Sequence, residues 1–451
     1  MAHNFIPHVW MCGERNVVIN RCLIMGVINV TPDSFSDGGS HNNPQDAIAW
    51  GKRLLDEGAD ILDIGGESTR PGSSAVDVEE ELRRVMPVIE GLLPTGALLS
   101  IDTRHAQVAK KALEAGVHII NDISGFRSPE MRDLAAQTSA GLIIMHMQGE
   151  VETMQRNPQY EDVISEIKSY LLGQAKLLES QGVDPQRIMI DPGPGFGKTT
   201  AHDLEIQSRF EEFTQLAYPV MEAPSRKRYQ GDLTGIKNAQ DRDGVTAAQC
   251  LLAAYKGAHA IRVHNVKASY DALMLLDREE KEAYIALGAN KDQASGQIYE
   301  AIEAISSFPL TKLLAQSSLY KSAPAYLEEQ DDFTNAVIKV STKLSPLVLL
   351  DRLLGLEDSL GRVREIKNGP RSIDIDLIAY EGERHFGDKL VLPHPKAFER
   401  DFVIEPLAEI VNSEQRLSES ETNEMIANIL GTSVLEKSKR LGQIVSVVDY
   451  K

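Results

Sequence analysis

The sequence has few cysteines and no long apolar run. Its 451 residues include only three cysteines, Cys12, Cys22 and Cys250, and none forms the Cys-x-x-Cys pair typical of a structural zinc site. This sparse, odd set predicts reduced thiols, as in the cytosol. No segment approaches the roughly 20 apolar residues that span a bilayer, and residues 1–10 lack the pattern of a secretory signal. We therefore expect a soluble cytoplasmic protein.

Positive charge is also scarce, since 47 Lys and Arg face 66 Asp and Glu and the formal net charge is −19. Such a chain repels polyanions, so we expect neither nucleic acid nor a membrane surface as a partner. Small phosphorylated substrates still fit, because local basic clusters can bind them. The 42% of hydrophobic and 25% of charged residues are ordinary for globular domains and exclude wholesale disorder.

Residues 1–276 alternate short apolar segments with longer segments of helical periodicity. Runs of Ile, Leu and Val of this length are typical of strands buried on both faces. The alternation predicts parallel βαβ units, and eight of them favour a closed α/β (β/α)8 TIM barrel over an open, doubly wound sheet. The predicted strands are 22–30, 60–66, 98–103, 118–124, 142–147, 188–192, 219–223 and 260–265.

The charged segment 277–283 predicts a linker, because the pattern changes beyond it. A second domain is expected over 284–451. Its strand, helix, strand, strand, helix, strand order predicts an α+β ferredoxin-like fold. The predicted elements are, in that order, 283–290, 296–306, 313–320, 333–341, 346–361 and 372–380.

Each predicted barrel strand is followed by a polar or ionisable side chain. A single Asp after a strand is usually a helix cap or a turn former, but eight coinciding strand ends favour a site. The carboxyl ends of barrel strands form one mouth, where active sites of this fold lie. In strand order the residues are Asn29, Asp63 with Glu67, Asp102, Asn121, His146, Asp191, Lys227, and Arg262 with His264.

The composition of this mouth suggests a ligand with an anionic end and a flat heterocyclic end. Arg70, Arg262 and His264 are suited to phosphate or pyrophosphate, and Asn29 could offer an oxygen to Mg²⁺. The groups that match the donor and acceptor edges of a heterocycle are Asp102, Asn121, Asp191 and Lys227.

Residues 191–199 superficially resemble a phosphate-binding loop. Pro192 stands where the Walker A motif requires its first glycine. We therefore do not interpret Lys198 as a nucleotide-binding lysine.

Several long motifs in the first 276 residues resemble those of dihydropteroate synthase. They are G-V-I-N-V-T-P-D-S-F-S-D-G-G at 26–39, D-I-G-G-E-S-T-R-P-G at 63–72, D-P-G-P-G-F-G-K at 191–198, S-R-K at 225–227 and R-V-H at 262–264. The resemblance implies a barrel that condenses 6-hydroxymethyl-7,8-dihydropterin pyrophosphate with p-aminobenzoate. It also implies a homodimer formed through the barrel.

The same resemblance implies a role for individual residues. Catalytic roles fall to Asp102, Lys227 and Arg262, and Arg228 stands where some members have Ser at the p-aminobenzoate pocket. The implied pterin ligands are Asp102, Asn121, Asp191 and Lys227, with Arg262 beside the ring; the implied pyrophosphate ligands are Thr69, Arg70, Arg262, His264 and, through Mg²⁺, Asn29; Phe35 and Pro71 would lie near p-aminobenzoate.

In the second domain, Asp374 and Asp376 alternate with apolar residues on a predicted strand. Residues two apart share a face of a strand, and adjacent carboxylates repel each other unless a cation such as Mg²⁺ intervenes. Arg362, Arg364 and Arg371 lie just upstream. The pattern indicates a nucleoside triphosphate site, although an outward polar face on an edge strand would look similar.

Segments of this domain resemble 6-hydroxymethyl-7,8-dihydropterin pyrophosphokinase, notably Y-I-A-L-G-A-N at 284–290, F-T-N-A at 333–336, G-R-V-R at 361–364 and G-P-R-S-I-D-I-D at 369–376. The resemblance implies ATP as a substrate and Mg²⁺ as cofactor. The implied roles are metal binding by Asp374 and Asp376, phosphate stabilisation by Arg362 and Arg371, pterin binding by Phe333, Asn335 and Phe402, and ATP binding by Glu357, Lys389, His394 and Arg400.

The product of the second activity is the substrate of the first, which favours a bifunctional folate-pathway enzyme. Two alternatives remain at this stage. One domain could be a degenerate pterin-binding scaffold, and the short loop 365–368 makes the kinase the candidate. Alternatively, the barrel could serve corrinoid-linked methyl transfer, although that role does not need Arg70, the S-R-K run or a fused kinase.

Overall fold

In a computed structural model of the protein, the structure describes residues 5–31, 43–68, 76–151, 153–276, 279–291, 293–324, 330–361, 371–415, 417–431 and 445–447. The chain forms two compact units, Met1–Leu276 and Asp277–Lys451. The predicted linker 277–283 was too long, because its last three residues already belong to a strand that begins at Lys281.

The first unit alternates strands and helices as the apolar pattern predicts. Its strands are β1 (His8–Cys12), β2 (Arg15–Ile19), β3 (Leu23–Asn29), β4 (Ile61–Gly65), β5 (Leu98–Asp102), β6 (Ile119–Asp122), β7 (Gly141–Met145), β8 (Ile188–Asp191), β9 (Met221–Glu222) and β10 (Ala260–Val263). Its helices are α1 (Pro44–Asp56), α2 (Val78–Leu92), α3 (Ala106–Ala115), α4 (Pro129–Gln137), α5 (Val163–Ser180), α6 (Thr200–Ser208), α7 (Glu211–Thr214), α8 (Arg228–Thr234), α9 (Asp243–Tyr255) and α10 (Val266–Leu273).

Strands β3 to β10 form one parallel sheet that closes into a barrel. Their order is β8-β7-β6-β5-β4-β3-β10-β9. A parallel bridge between Ile190 and Val220 joins the two ends, and the amide of Ile190 donates to the carbonyl of Pro219 at 2.9 Å. The predicted TIM barrel and its eight strands are thereby confirmed in the described part of the chain.

An antiparallel hairpin of β1 and β2, which the sequence analysis missed, covers the amino-terminal end of the barrel. Trp10 and Cys12 are fully buried and pack with the first residues of the barrel strands, such as Ile61 and Ile119. The indole of Trp10 also donates to the carbonyl of Arg187 at 2.9 Å. This apolar floor leaves the opposite end, where the strands finish, as the mouth.

The second unit is an antiparallel sheet covered by helices. Its strands are β11 (Lys281–Ala289), β12 (Thr311–Gln316), β13 (Tyr320–Ser322), β14 (Phe333–Thr342), β15 (Asp374–Tyr380), β16 (His385–Phe386), β17 (Val391–Leu392) and β18 (Val445–Val447). Its helices are α11 (Ala294–Ser306), α12 (Pro346–Ser359), α13 (Asp401–Gln415) and α14 (Glu419–Ile429).

The main sheet runs β15-β11-β14-β13-β18, with β12 also paired to β14. The strand order is β15-β11-β14-β12. Along the chain, α11 connects β11 to β12 and α12 connects β14 to β15, which confirms the ferredoxin-like prediction. The predicted strand 313–320 is instead two strands, because regular strand structure is interrupted between β12 and β13. The pattern did not predict α13, α14 or β18, although Leu407 and Ile426 of these helices lie in the apolar core with Val337 of the sheet.

No helix in the described ranges is long and apolar enough to cross a membrane.

Candidate active sites

Arg262 of β10 lies in the barrel mouth and contacts two other strands directly and a third through Asp63. Its Nε donates to Asp63 Oδ2 at 2.6 Å, and its Nη2 donates to Asp102 Oδ2 at 2.5 Å. The side-chain Nδ2 of Asn121 donates to the same Asp63 oxygen at 3.0 Å. Strands β4, β5, β6 and β10 thus each contribute one member of a connected polar cluster.

The charges of this cluster depend on one another. Burial raises the pKa of Asp102, and the neighbouring Arg262 guanidinium opposes that rise. Burial also acts to lower the pKa of Arg262, but Asp63 and Asp102 outweigh it and raise that pKa above its ordinary value. A cation held between two carboxylates keeps its charge, so Arg262 is a permanent positive group in the mouth.

Asp191 and Lys227 form the opposite wall with an aromatic ring. Asp191 Oδ1 accepts from the amide of Gly193 at 2.7 Å. Glycine is required there, because φ is +66° and an added Cβ would lie 2.1 Å from the carbonyl oxygen of His146. Lys227 Nζ lies 4.2 Å from the centre of the Phe196 ring. Burial lowers the pKa of Lys227 to about 8, although Asp191 opposes that effect.

The predicted anion-binding residues of β3 and β10 also meet. His264 Nδ1 lies 2.9 Å from Ser225 Oγ, which accepts from the His264 amide at 3.1 Å. Asn29 Nδ2 lies 3.5 Å from His264 Nε2. Ser225 precedes Lys227 by two residues, so this contact connects His264 with the loop that carries Lys227.

His146 and Lys198 support the wall from behind. Lys198 Nζ lies 3.0 Å from His146 Nδ1 and donates to the carbonyls of Gly193 and Phe196 at 2.8 and 3.0 Å. Burial lowers the pKa of Lys198 to about 7. Burial, followed by the charge of Lys198, lowers the pKa of His146 to about 2. Enclosed in this way, Lys198 holds the loop 193–197, which agrees with its rejection as a nucleotide-binding lysine.

Two predicted residues of the first unit face other partners. Glu67 pairs with Arg104 at 2.9 Å. The exposed Arg228 lies 3.6 Å from Asp232 one helical turn later. Six residues named in the predictions lie outside the described ranges, together with the loop 365–368, and their roles stay predictions: Phe35, Thr69, Arg70, Pro71, Arg362 and Arg364.

In the second unit, one pocket brings together most of the predicted pterin and phosphate residues. It lies against β11, β13, β14, β15 and the start of α13. Sequence reasoning missed Ser322 and Gln330 in its wall. The predicted residues that line it are Phe333, Asn335, Arg371, Asp374, Asp376, Arg400 and Phe402.

The two carboxylates lie on one face of β15, as the alternation predicts. Ile375 between them is buried, while both aspartates are half-buried. Arg371 donates to Asp374, and Arg400 Nη1 lies 3.5 Å from Asp376 Oδ2. Each carboxylate therefore faces a guanidinium at the pocket wall.

The aromatic and amide residues complete the pocket. Asn335 Nδ2 donates to Ser322 Oγ at 2.9 Å, and both side chains are buried. The guanidinium of Arg371 lies 5.5 Å from the centre of the Phe333 ring, and that of Arg400 lies 5.6 Å from Phe402. Ser322 was missed because the sequence pattern merged β12 and β13. Recognising β13 as a separate strand would have indicated Ser322 as the polar residue at its end.

Three predicted ATP ligands do not line this pocket. Glu357 is fully buried and accepts from the amide of Ile375 at 2.6 Å, so it holds β15 from beneath. Lys389 Nζ pairs with Asp351 at 2.7 Å. Burial, and then the charge of Arg400, lowers the pKa of His394 to about 4. Glu357 therefore contacts β15, and its role in ATP binding stays a prediction, as do those of Lys389 and His394.

Among the described residues, no group of three or more His, Cys, Asp or Glu is placed to hold a metal ion. Asp374 and Asp376 form a pair only.

Two protein families match the chain in separate regions. A model described as pterin binding enzyme matches residues 25–264. A second, 7,8-dihydro-6-hydroxymethylpterin-pyrophosphokinase, matches residues 284–412. The boundary between the matches lies near the boundary between the two structural units.

Individual relatives agree with the first match. Dihydropteroate synthase of Neisseria meningitidis serogroup C is 43% identical over 287 residues, which is 63% of this chain and 99% of the relative. A solved Xanthomonas albilineans dihydropteroate synthase with 4-aminobenzoic acid is 44% identical, with a TM-score of 0.57, and covers 60% of this chain and 97% of its own. The same enzyme in complex with 7,8-dihydropteroate has a TM-score of 0.54 at 42% identity and covers 58% of this chain and 95% of its own. The chain therefore belongs to the dihydropteroate synthase family of pterin binding enzymes, joined to a pyrophosphokinase domain for the hydroxymethyl dihydropterin.

Proposed function

We propose that the protein catalyses two consecutive steps of folate biosynthesis. The second unit transfers pyrophosphate from ATP to 6-hydroxymethyl-7,8-dihydropterin and releases AMP. The first unit condenses that product with p-aminobenzoate and releases pyrophosphate and 7,8-dihydropteroate. The observation that carries this proposal is the joint presence of the polar barrel mouth around Arg262 and the pocket with its carboxylate pair in one chain that matches both families.

In the barrel, the polar cluster supplies partners for every edge of a pterin. Asp102 and Asp191 can accept from ring N–H and amino groups, and Asn121 can do both. Lys227, held over the Phe196 ring, can donate to a ring carbonyl or nitrogen. These groups orient the ring so that its exocyclic methylene is presented to the arylamine nitrogen.

During condensation, the nitrogen–carbon bond forms as the bond from carbon to the pyrophosphate oxygen breaks, and the arylamine loses a proton. Arg262 and His264 are proposed to bind the departing pyrophosphate. No protein nucleophile is required, because positioning and electrostatic stabilisation of the leaving group are sufficient. Thr69 and Arg70 are proposed to join the pyrophosphate site from the loop after β4.

Asn29 suits a Mg²⁺ ion at this site. Mg²⁺ is usually held by one or two protein oxygens together with substrate phosphates, and Asn29, whose Nδ2 lies towards His264, has one such oxygen in its side-chain amide. When bound, Mg²⁺ would neutralise part of the pyrophosphate charge.

In the second unit, Asp374 and Asp376 suit Mg²⁺ because they are hard oxygen ligands on one face of one strand. When bound there, Mg²⁺ would neutralise and orient the triphosphate. Asn335 and Ser322 are proposed to bind the pterin edge, with the ring lying between Phe333 and Phe402. The hydroxymethyl oxygen then attacks the β-phosphorus as the bond to the α-phosphate oxygen breaks, and Arg371 and Arg362 stabilise the charge.

The remaining ATP contacts are proposed to come from Arg400, Lys389 and His394. Glu357 also holds the strand that carries the two aspartates, and its role in ATP binding stays a prediction.

One incubation tests both activities. Purified full-length protein is supplied with 6-hydroxymethyl-7,8-dihydropterin, ATP, Mg²⁺ and p-aminobenzoate, and AMP and dihydropteroate are followed together. Both products are expected. AMP without dihydropteroate would indicate a barrel with another role; if neither forms, direct supply of the pterin pyrophosphate distinguishes a lost kinase from a wholly different function.

We also propose a cytoplasmic homodimer formed through the barrel. The three cysteines are buried free thiols, as suits a reducing compartment. Exposed apolar side chains lie on α9 and just after α10, namely Leu252, Tyr255 and Leu275, and such a patch is typical of an interface. Light scattering should give twice the chain mass, and Leu252→Glu should reduce it to one chain; a monomeric wild type would contradict the proposal.

A further inference from the structure

The loop after β9 contains a strained residue between two residues of the barrel site. Arg226 has a φ of +60°, a left-handed conformation that is unfavourable for any residue with a Cβ. Ser225 before it contacts His264, and Lys227 after it lies over Phe196. Whatever holds Arg226 in this conformation therefore sets the direction of both neighbours.

The first turn of α9 and the residue before it hold this bend. Arg226 donates through Nε to Asp243 Oδ1 at 2.7 Å and through Nη2 to Asp243 Oδ2 at 2.8 Å. Its backbone amide donates to Thr246 Oγ1 at 3.1 Å. Arg242 donates to the carbonyls of Arg226 and Lys227, both at 3.2 Å. The backbone groups and the guanidinium of the bend are thus bound by residues 242–246.

A buried chain of side chains fixes Thr246 in turn. Its hydroxyl donates to Gln230 Oε1 at 3.1 Å, so the oxygen is turned to accept from Arg226. Gln230 donates to Gln249, and Gln249 donates to Glu222, each at 3.1 Å. Four connected buried groups of this kind resist rearrangement, so the contact at Arg226 has a rigid support.

Asp243 also contacts the loop between β10 and α10. Its Oδ2 accepts from Asn265 Nδ2 at 2.9 Å, and Asn265 directly follows His264 and caps α10 through the amide of Ala268. Partial burial acts to raise the pKa of Asp243, but the hydrogen bonds from Arg226 and Asn265 lower it overall. A single ionised carboxylate therefore contacts the loops that carry Lys227 and His264.

We propose that Asp243 is a positioning residue for the condensation reaction, holding Lys227 and His264 in register through Arg226 and Asn265. Asp243 acts through these two residues and needs no contact with substrate. The proposal rests on the proposed function of the barrel. It adds a determinant on α9 to a site that is otherwise built at the strand ends.

The test uses three substitutions at two positions, which separate charge from backbone shape. Asp243→Asn keeps the size and removes the carboxylate. Arg226→Gly and Arg226→Ala both remove the ion pair, but only glycine adopts a φ of +60° without strain. Asp271→Asn is the matched control, because it removes an exposed carboxylate paired to Lys267 on the adjacent helix α10.

We measure kcat and KM for pterin pyrophosphate in the full chain, the alkaline limb of the pH profile, and AMP formation. Asp243→Asn should lower kcat/KM for dihydropteroate formation about 10- to 100-fold, as a displaced catalytic group would, and should shift the alkaline limb set by Lys227. Arg226→Gly should retain several-fold more activity than Arg226→Ala. AMP formation and the Asp271→Asn control should match the wild type.

Three results would overturn the positioning role. They are an Asp243→Asn enzyme within twofold of the wild type, a reduced rate with an unmoved alkaline limb, and equal activities of the two Arg226 variants. If Asp243→Asn fails to fold, the comparison of Arg226→Gly with Arg226→Ala provides the test instead. Wild-type turnover is measured first, because its absence would instead overturn the proposed function of the barrel.

Discussion

The two sites of this chain balance their charges in different ways. In the barrel mouth, Arg262 contacts Asp63 and Asp102 from separate strands, and Asp63 is fully buried. In the second unit, Asp374 and Asp376 lie on one strand, are half-buried, and face arginines of the pocket wall. The barrel site is therefore also part of the core, whereas the second site is a surface feature of the sheet.

Because of this difference, substitutions at the barrel site should affect folding stability as well as activity, whereas substitutions at the second site should affect mainly ligand binding. Removing one member of a buried cluster leaves an uncompensated charge and weakens the fold. Removing a carboxylate that water can reach changes ligand binding but little else. The two units should therefore respond differently to equivalent substitutions, and each unit provides an internal control for the other.

The largest effect is expected from Asp374→Ala. One of the two proposed metal ligands is lost, so AMP formation should fall by about a thousandfold or more. Condensation of supplied pterin pyrophosphate should be unchanged, which a coupled assay of both products would show. Loss of both activities would contradict the independence of the two sites.

Lys227→Ala should have the reverse selectivity. Dihydropteroate formation should fall by about 10²- to 10³-fold, as when one preorganised charged donor is removed, and AMP formation should persist. Steady-state kinetics with supplied pterin pyrophosphate measures this directly. Unimpaired condensation would remove Lys227 from the pterin site.

A matched pair of arginine substitutions compares the two sites by stability. Arg262→Met leaves Asp63 and Asp102 without their cation and should destabilise the first unit by about 3–5 kcal/mol. Arg371→Met removes the partner of Asp374 and should change the second unit by about 1 kcal/mol or less. Denaturant unfolding, monitored by hydrogen exchange, resolves the two units. Equal losses of unfolding free energy in the two variants would refute the distinction.

The smallest effect concerns pH. Because burial lowers the pKa of Lys227 to about 8, its ammonium loses its proton well below the usual range of a lysine. If the charged form is needed, kcat/KM for condensation should fall about tenfold per pH unit above that value. Lys227→Arg should abolish this alkaline limb, since a guanidinium stays charged beyond pH 12. A limb that persists in the variant would assign it to another group.

Much of this organisation is readable from the chain alone. The apolar segments predicted all eight barrel strands, and the strand-end residues Asp102, Asn121 and Arg262 do meet. On β15, the alternation with buried Ile375 placed Asp374 and Asp376 on one face. These predictions succeed because they depend on local periodicity, which tertiary contacts reinforce.

Other features are not local. Nothing in the spacing of Asp63, Asp102 and Arg262 indicates that one guanidinium bridges both carboxylates, since the partners are 199 and 160 residues away along the chain. The hairpin of β1 and β2 was not predicted because its two strands are short and of mixed polarity. The hydrogen bond from the amide of Ile375 to Glu357 was likewise not indicated by the sequence, because it joins α12 to β15.

The sequence by itself determined the two folds and the inventory of reactive groups, because hydrophobic periodicity and strand direction specify which side chains reach the mouth and the sheet face. Only the tertiary structure decided which of those groups pair. It assigned Arg262 to two aspartates, Ser322 to Asn335, and Asp243 to Arg226 and Asn265. The physical reason is that hydrogen bonds and ion pairs form between atoms within about 3 Å, and such distances are set by packing between segments far apart in the chain.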